Sequence, residues 1–344
     1  MDISQKIQAL KQALAAKNLP SFVSAKIQTE IERAELVFKS QNYSLEVDRI
    51  LGYIDLLMTF PWTQESPDIL DLNRAREILD RNHFGLDSVK ERVLEYLAIL
   101  ILNKRKNMPS HSLSLLFLGL VGSGKTSLAY SIAEALGREL IRIPFGGLAG
   151  AHQLRGESRL KIEAQPGLIV EALLRSKVKN PIILLDELDR VATEVRSDVM
   201  GVLVELLDPE QNQAFSDYYF ELPIDLSEVI FIATANNTNN VSTAVLDRLE
   251  TVEIPFYSDE QKVMIAKQYL LPKSLKESGL DPNTIAITET LWPEIVRPLG
   301  FDGGIRSLKR TIDNLVRKVA KQVVEGKIVS IVIDNTNLPS YIIH

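Results

Sequence analysis

The sequence contains no cysteine and only four histidines among its 344 residues. The absence of cysteine excludes disulfide bonds, thiolate metal sites and a cysteine nucleophile, and it is typical of proteins that stay in a reducing cytoplasm. The histidines stand at positions 83, 111, 152 and 344, too far apart to show the spacing of metal ligands. The composition therefore points away from thiol chemistry and from a histidine-based metal centre.

Long apolar segments are also missing. No run of 18 apolar residues occurs, so we expect no membrane-spanning helix. The first residues lack a basic segment followed by an apolar run, and we therefore expect no signal peptide and a cytoplasmic location. The formal net charge of −6 argues against a surface that coats nucleic acid. A solvated loop explains the one compact basic cluster, at residues 104–106.

The spacing of apolar residues divides the chain into three blocks. Residues 1–66 have helical spacing and predict a neck region that packs against the next domain, with a free interaction arm as the alternative. Residues 67–258 alternate short apolar runs with helical patterns and predict a large α/β nucleotide-binding domain. Residues 259–344 predict a small helical domain with a short C-terminal strand. This length suits two or three domains, each with a core of its own.

The middle block predicts a parallel sheet flanked by helices, because its short apolar runs suit strands that are buried on both faces. These runs lie at residues 113–118, 140–143, 182–185, 229–233 and 251–255. Helical patterns lie between them, for example at residues 127–136 and 198–207. In the third block, the clearest helices lie at 261–271 and 305–324, and a strand is expected at 328–333.

A glycine-rich motif follows the first predicted strand and matches the pattern G-x-x-x-x-G-K-[ST] in full. Its residues are Gly119, Leu120, Val121, Gly122, Ser123, Gly124, Lys125 and Thr126. Glycines let such a loop curl until its backbone N–H groups face one point, and the next helix N-terminus adds partial positive charge there. We expect Lys125 to reach the β- and γ-phosphates of ATP, and Thr126 to offer its hydroxyl to Mg²⁺. The motif therefore predicts ATP binding.

Two acidic residues end the third predicted strand. Asp186 and Glu187 directly follow the apolar run 182–185. We expect Asp186 to hold Mg²⁺ through water, and Glu187 to polarise the water that attacks the γ-phosphate. Acidic residues often follow strands, so this pattern gains its meaning from the phosphate loop that accompanies it. Asp189 receives no role in the chemistry, because it could instead cap a helix.

With these motifs placed, the chain resembles the AAA+ ATPase module of the Lon protease family over almost its whole length. The stretches that carry the resemblance lie at residues 207–212, 215–217, 231–237, 246–248 and 303–308. The resemblance implies an AAA+ fold: a P-loop parallel sheet flanked by helices, followed by a small helical domain. Residues 80–86 resemble the family segment that contacts adenine. The adenine contacts implied by this segment are His83, Phe84, Gly85 and Leu86.

The same resemblance implies three further site residues. Asn236 corresponds to sensor 1, which orients the attacking water. Arg248 corresponds to the arginine finger, which reaches the γ-phosphate of a neighbouring subunit, and Arg306 corresponds to sensor 2 on the small domain. Such roles make chemical sense, because phosphoryl transfer is catalysed mostly by positioning and by cations placed on the developing charge. A finger that acts in trans implies a homo-oligomeric ring, which is a hexamer in this family. A surface ion pair is the alternative for each arginine.

The sequence departs from the family pattern at both ends. Lon proteins usually begin with a substrate domain and continue into a serine–lysine protease domain, whereas this sequence starts in the neck and ends at His344. We therefore expect no peptidase activity from the chain by itself, and any role in proteolysis would require a separate protease. The sequence leaves open whether the chain stands alone or is a module of something longer.

A third departure concerns the loop that grips a polypeptide in the central pore of the family's ring. By alignment Lys161 occupies the aromatic position of this loop, and Ile162 keeps the aliphatic one. An aromatic ring grips any extended chain by apolar contact, whereas a lysine is strongly hydrated. Three functions stay open: an ATPase that remodels or unfolds protein, a regulatory or scaffold ring that does not thread, and a DNA-associated ATPase.

Overall fold

The computed structural model describes residues 3–41, 45–106, 114–297 and 304–342. A few predicted features fall elsewhere and lie outside the described residues: position 113 of the first strand, Gly303 of the Lon-like stretch, and the histidines at 111 and 344. Within the described ranges, no helix is long and apolar enough to cross a membrane.

Among the described residues, three helices form the N-terminal region. They are α1 (Ile3–Ala16), α2 (Ser21–Gln41) and α3 (Leu45–Thr59). Their buried side chains belong to the same apolar cluster as one face of the central sheet. The hydroxyl of Tyr53 in α3 donates to the carbonyl of Phe220 at 2.5 Å, and the ring of Phe60 lies 5.0 Å from that of Phe220. The neck is therefore packed onto the α/β part of the molecule.

The large α/β part contains seven helices and seven strands among its described residues. The helices are α4 (Leu72–Asn82), α5 (Asp87–Arg105), α6 (Lys125–Leu136), α7 (His152–Arg155), α8 (Leu168–Ser176), α9 (Thr193–Leu206) and α10 (Thr243–Leu246). The strands are β1 (Ser114–Leu118), β2 (Leu140–Pro144), β3 (Ile182–Asp186), β4 (Phe215–Ser216), β5 (Pro223–Ile224), β6 (Ile230–Ala235) and β7 (Leu249–Glu253). Short 3₁₀ turns lie at Leu188–Arg190 and Asn212–Ala214.

Five of these strands form a parallel sheet in the order β2-β3-β6-β1-β7. Each corresponds to one of the five apolar runs in the sequence, so the predicted parallel sheet is confirmed. Strands β4 and β5 pair separately in an antiparallel ladder. The sheet order places β3, β6 and β1 side by side, although β3 and β1 are separated from β6 by long stretches of chain.

Alternate residues of the central strands enter two different cores. In β3, Ile183 and Leu185 belong to the cluster that includes the neck helices, whereas Ile182 and Leu184 pack with α4, α5 and α6. All four side chains are fully buried. Burial of each such side chain stabilises the fold by roughly 1.5–3 kcal/mol. This two-sided burial explains why the strands read as continuous apolar runs instead of alternating ones.

The C-terminal part has its own core. Its helices are α11 (Asp259–Ile265), α12 (Leu271–Glu277), α13 (Trp292–Val296), α14 (Arg306–Val324) and α15 (Leu338–Tyr341), with a π-helical turn at Ala266–Leu270 and a 3₁₀ turn at Glu289–Leu291. Strands β8 (Ile285–Ile287) and β9 (Ile331–Ile333) pair in parallel. The expected C-terminal strand is β9; its partner β8 was not foreseen. The domain boundaries at 66/67 and 258/259 stay predictions.

Candidate ATP-binding and hydrolysis site

The carboxyl ends of β1, β3 and β6 meet at one edge of the sheet and open into a cleft of about 370 Å³. Parallel strands bring residues that follow them in sequence to the same edge, which is where α/β proteins bind ligands. Nine residues predicted for the site line this cleft: Val121, Gly122, Gly124, Lys125, Thr126, Asp186, Glu187, Asn236 and Arg306. The geometry therefore brings together residues from four separate stretches of the chain.

The glycine-rich loop connects β1 to α6 and curls as its sequence predicts. Gly124 adopts a φ of +100°, a conformation that disfavours any residue with a side chain, and it immediately precedes α6. The hydroxyl of Ser123 is buried and has no hydrogen-bond partner among the described residues. Such a loop at a helix N-terminus directs backbone N–H groups toward an anion. The local geometry therefore fits a phosphate chain.

Lys125 reaches across the mouth of this loop. Its Nζ donates to the carbonyls of Gly119 and Leu120 at 2.7 and 2.9 Å, and to Oδ1 of Asn236 at 3.1 Å. Burial lowers the pKa of Lys125, and the nearby carboxylates, first among them that of Asp189, oppose this shift. The ammonium group is thus a donor-only cation held between the phosphate loop and the end of β6.

Asp186 is fixed at the end of β3 by three neighbours. Its Oδ1 accepts a hydrogen bond from the hydroxyl of Thr234 at 2.5 Å and lies 3.5 Å from the hydroxyl of Thr126. Its Oδ2 accepts from Nε of Arg142 at 2.6 Å. The carboxylate is almost fully buried, so these polar partners are what allow it to stay there. They also aim it at Thr126, the other predicted Mg²⁺ ligand.

Glu187 has an unusual backbone conformation. Its φ of +62° lies in the left-handed region, which costs a residue with a side chain about 1–2 kcal/mol. The Glu187 N–H donates to the hydroxyl of Thr234 at 2.9 Å, which helps to hold this conformation. The turn directs the Glu187 side chain into the cleft, where it also lies 3.4 Å from Arg190. Non-glycine residues in this region are concentrated at functional sites.

Arg306 enters the cleft from the C-terminal part. The Ile305 N–H donates to the carbonyl of Gly122 at 3.0 Å, and this bond docks the start of α14 on the phosphate loop. Gly304 permits that approach, since a Cβ atom there would lie 2.3 Å from the carbonyl oxygen of Val121. The small domain therefore touches the phosphate loop through its backbone and presents Arg306 to the cleft.

Arg248 lies elsewhere and is not among the described residues that line this cleft. Its guanidinium donates to Oδ2 of Asp208 at 2.9 Å and to the carbonyl of Ala244 at 2.9 Å. The hydrogen bond from Arg248 lowers the pKa of Asp208. Within one chain, Arg248 therefore forms an ion pair, which the sequence analysis gave as the alternative to an arginine finger. A contact with a neighbouring subunit's nucleotide stays a prediction.

The segment predicted to contact adenine joins α4 to α5 and packs beside α6. His83 is buried, and its Nε2 lies 2.9 Å from the hydroxyl of Ser131 in α6. Leu86 is also buried, whereas Phe84 and Gly85 are partly exposed. The ring of Phe84 meets Tyr269 of the C-terminal part edge-on at 6.4 Å. The segment therefore bridges the two parts, and its contact with adenine stays a prediction.

Sequence reasoning missed three residues that organise the site: Thr234, Arg142 and Asp189. Thr234 lies within the Lon-like stretch 231–237, but its hydroxyl matters only because β3 and β6 are neighbours. Arg142 could have been found as a lone cation inside an otherwise apolar strand. Asp189 accepts hydrogen bonds from the side-chain amide of Asn236, a contact that no spacing in the sequence reveals.

The loop between α7 and α8, which contains the predicted pore residues, is held against the neck. The Arg159 guanidinium lies 3.6 Å above the ring of Tyr53 and 2.6 Å from Oε2 of Glu221. Arg49 of α3 donates to the carbonyl of Ile162 at 2.8 Å. Cation–π contacts that are partly removed from water are stronger than those at the surface. The neck therefore fixes the base and one side of this loop.

The tip of the same loop is mostly apolar. Leu160 and Ile162 are 94% and 78% exposed, and Lys161 between them pairs with Glu157 at 2.9 Å. Exposed pairs of this kind contribute little to stability. Exposed aliphatic surface therefore flanks Lys161 on both sides. The sequence-based reading gave weight to Lys161 but none to Leu160.

Two regions of the chain match known families. Residues 115–256 match the ATPase family associated with various cellular activities (AAA), and residues 276–331 match the Lon protease AAA+ ATPase lid domain. The chain belongs to the Lon-type AAA+ ATPases. The resemblance noted in the sequence is thereby confirmed, as is the AAA+ fold. The second match identifies the C-terminal part as a Lon-type lid.

Curated relatives of this Lon-type module are longer than the chain. Lon protease 2 of Thermus thermophilus is 39% identical over 346 residues, which cover 98% of the chain and 43% of the relative. The Lon proteases of Heliobacterium modesticaldum and Clostridioides difficile are 40% and 38% identical and cover 97% and 99% of the chain. The chain thus spans about two fifths of the length of these relatives.

The buried His83 predicts a pH-dependent stability of the Lon-type module. Burial, aided by the charge of Lys90, lowers the pKa of His83 to about 4. The unfolded chain has a histidine pKa of about 6.5. Between these values the unfolded state binds a proton that the folded state does not, so stability falls as the pH falls. We expect this one residue to reduce the free energy of unfolding by about 3 kcal/mol between pH 7 and pH 4.

Urea unfolding of the wild type and of His83→Gln across this pH range measures the effect. The variant keeps a polar group beside Ser131 but cannot titrate, so its stability should depend less on pH. His152→Gln makes the same substitution at an exposed position and serves as the matched control. Equal slopes for His83→Gln and the wild type would contradict the assignment.

Proposed function

We propose that the chain binds ATP with Mg²⁺ and hydrolyses it. The observation that carries this proposal is the convergence of Lys125, Thr126, Asp186, Glu187 and Asn236 on one cleft beside a phosphate-binding loop. Each has a defined role in phosphoryl transfer, which depends on positioning and on cations near the developing charge. The cleft volume of about 370 Å³ lies in the range of small-ligand sites.

The donor set suits Mg²⁺. Thr126 and Asp186 offer a hydroxyl and a carboxylate 3.5 Å apart, both of them hard oxygen ligands. Mg²⁺ usually takes one or two protein carboxylates together with water and substrate phosphates, so two protein groups suffice. When bound there, the ion would neutralise charge on the phosphate oxygens. Thr234 and Arg142 keep the carboxylate of Asp186 aimed at this point.

Each residue of the cleft then has its own role in the proposed reaction. The phosphate loop and Lys125 hold the β- and γ-phosphates through N–H groups and an ammonium group. Glu187 accepts a proton from the attacking water, and Asn236 orients that water. Arg306, brought in by the docking of α14 on the phosphate loop, links the nucleotide to the position of the lid. Adenine would lie beside the segment 83–86, which bridges the large part and the lid.

Replacement of the proposed base tests hydrolysis directly. We expect Glu187→Gln to lower kcat for ATP by about 100-fold or more, because the amide cannot take a proton from water. Binding of ATP should persist, since the phosphate loop is untouched. Phosphate release measures the first effect, and a fluorescent ATP analogue measures the second. Glu294→Gln, at an exposed position of α13, is the matched control; unchanged turnover in Glu187→Gln would refute the role.

We further propose that the module works as a homo-oligomeric ring, a hexamer as the Lon resemblance implies, in which Arg248 completes the site of a neighbouring subunit. Two observations support this. Arg248 does not line the cleft of its own chain, and it lies on the surface in an ion pair that a partner's phosphate could replace. A cation supplied in trans typically raises kcat by several orders of magnitude.

Mixing two inactive variants tests the arrangement. Arg248→Ala and Glu187→Gln should each be nearly inactive alone, because one lacks the finger and the other lacks the base. In a random mixed ring, roughly one site in four combines an intact Glu187 with an intact neighbouring Arg248. ATP turnover of the mixture should therefore rise well above the summed turnover of the two variants measured separately. A mixture no more active than that sum would argue for an Arg248 that works only within its own chain.

We propose that hydrolysis drives the remodelling or unfolding of a polypeptide for a separate protease. The loop between α7 and α8 supports this proposal, since Leu160 and Ile162 expose apolar side chains at its tip. Its attachment to the neck by Arg49 and Arg159 gives the loop a firm base for pulling. Lys161 in the aromatic position favours the alternative, a regulatory ring that does not thread substrate.

A tagged fluorescent substrate distinguishes the two functions. If the module unfolds protein, native fluorescence should fall only when ATP is present. Lys161→Tyr should then raise the unfolding rate by about threefold or more, because an aromatic ring improves the apolar grip. Lys276→Tyr, at an exposed position of α12, is the matched control. Steady ATP hydrolysis with a fully native substrate, in both wild type and Lys161→Tyr, would support the regulatory ring instead.

A further inference from the structure

Asp189 lies directly behind the residue that is proposed to orient the attacking water. It belongs to the 3₁₀ turn that follows β3, and it is only 7% exposed. Its Oδ2 accepts hydrogen bonds from Nδ2 of Asn236 at 3.1 Å and from Nδ2 of Asn237 at 3.4 Å. Its backbone carbonyl accepts from the side-chain amide of Asn240 at 2.9 Å. One buried aspartate therefore gathers three asparagines from the segment after β6.

These contacts determine which way the amide of Asn236 points. The Lys125 ammonium can only donate, and it lies 3.1 Å from Oδ1 of Asn236. An ionised Asp189 can only accept, and it lies beside Nδ2 of Asn236. Lys125 and Asp189 therefore favour the same orientation of the Asn236 amide. In the reversed orientation, Nδ2 would face the Lys125 ammonium and Oδ1 would face the Asp189 carboxylate. The orientation therefore follows from chemistry on both sides of the amide.

We propose that Asp189 is a positioning residue of the ATPase site, which holds the Asn236 amide so that its carbonyl oxygen faces the catalytic groups. In this arrangement Asn236 orients the attacking water as an acceptor, beside Lys125 and the carboxylate of Glu187. The Nδ2 group of Asn236 donates to Asp189, on the side of the amide away from the catalytic groups. This inference rests on the proposed hydrolysis of ATP.

The buried charge supports this role over that of a simple helix cap. The turn Leu188–Arg190 that contains Asp189 is a single 3₁₀ turn, and the aspartate side chain makes its hydrogen bonds to the segment after β6, 47 and 48 residues away. A carboxylate at this depth needs such partners, and its negative charge also favours the protonated form of Lys125. Asp189 thus connects the residue after β6 to the phosphate-loop lysine.

Removal of the carboxylate should impair chemistry more than binding. We expect Asp189→Ala to lower kcat for ATP between about 10- and 100-fold, because a small misorientation of a catalytic group costs that much. The dissociation constant for a fluorescent ADP analogue should change less than about threefold, since Asp189 does not line the cleft among its described residues. Asp189→Asn keeps the shape but presents an amide, and it should change kcat in the same direction.

A double-mutant cycle separates positioning from a general structural role. If Asp189 acts through Asn236, then Asp189→Ala should change kcat less than about twofold when Asn236 is already alanine. If Asp189 merely supports the fold, the two losses should multiply, and nucleotide affinity should fall in step with kcat. Either of those results, or wild-type kcat in Asp189→Ala and Asp189→Asn, would overturn the proposal.

Two controls complete the experiment. Asp225→Asn makes the same chemical change in an exposed turn and should retain wild-type kcat and affinity. Wild-type turnover that Glu187→Gln abolishes establishes ATP hydrolysis without reference to Asp189. A failure of the cycle would then count against the positioning role alone, whereas a wild type without turnover would count against the proposed function.

Discussion

The site depends on the hydrogen-bonded register of three neighbouring parallel strands. Leu185 of β3 pairs with Ala233 of β6, and Leu118 of β1 pairs with Ala235. This register sets Thr234 beside Asp186, so that one hydroxyl can donate to the aspartate and accept from the next backbone N–H. A shift of one residue would turn every side chain to the opposite face. The phosphate loop, the two acids and Asn236 are therefore fixed relative to one another by the sheet itself.

Two other parts of the chain are attached to the large α/β part by different means. The lid reaches the phosphate loop through backbone contact, which depends on the missing side chain of Gly304 and on the hydrogen bond from Ile305 to Gly122. The neck instead shares a continuous apolar core with the far side of the sheet, and Arg159 ties it to the loop between α7 and α8. The C-terminal part also contributes Ile265 to the apolar cluster on the other face of the sheet, so apolar contact joins both parts to the sheet.

Features encoded by contiguous residues were predictable, and features made by distant residues were not. The phosphate loop, the pair Asp186–Glu187 and all five parallel strands follow from local patterns, because each is specified within a few residues. Thr234 lies 48 residues from Asp186, and its importance arises only when β6 is inserted between β3 and β1. For the same reason β8 was missed, since a three-residue strand has too little pattern without its partner β9. Both features depend on which strands are neighbours, and a single sequence indicates strand order only weakly.

The chain thus holds most of the proposed catalytic site at one edge of the sheet, and the two arginines that the resemblance assigns to the site lie on other elements. Arg306 is carried by the lid, and Arg248 is held by Asp208 away from the cleft. Cations stabilise the charge that develops on a transferred phosphate, so under the proposed mechanism the rate of hydrolysis would depend on where these two arginines lie. Arg306 begins α14 of the lid, whereas Arg248 directly precedes β7 of the sheet, so under the proposal Arg306 would couple the rate to the lid and Arg248 would couple it to a neighbouring subunit.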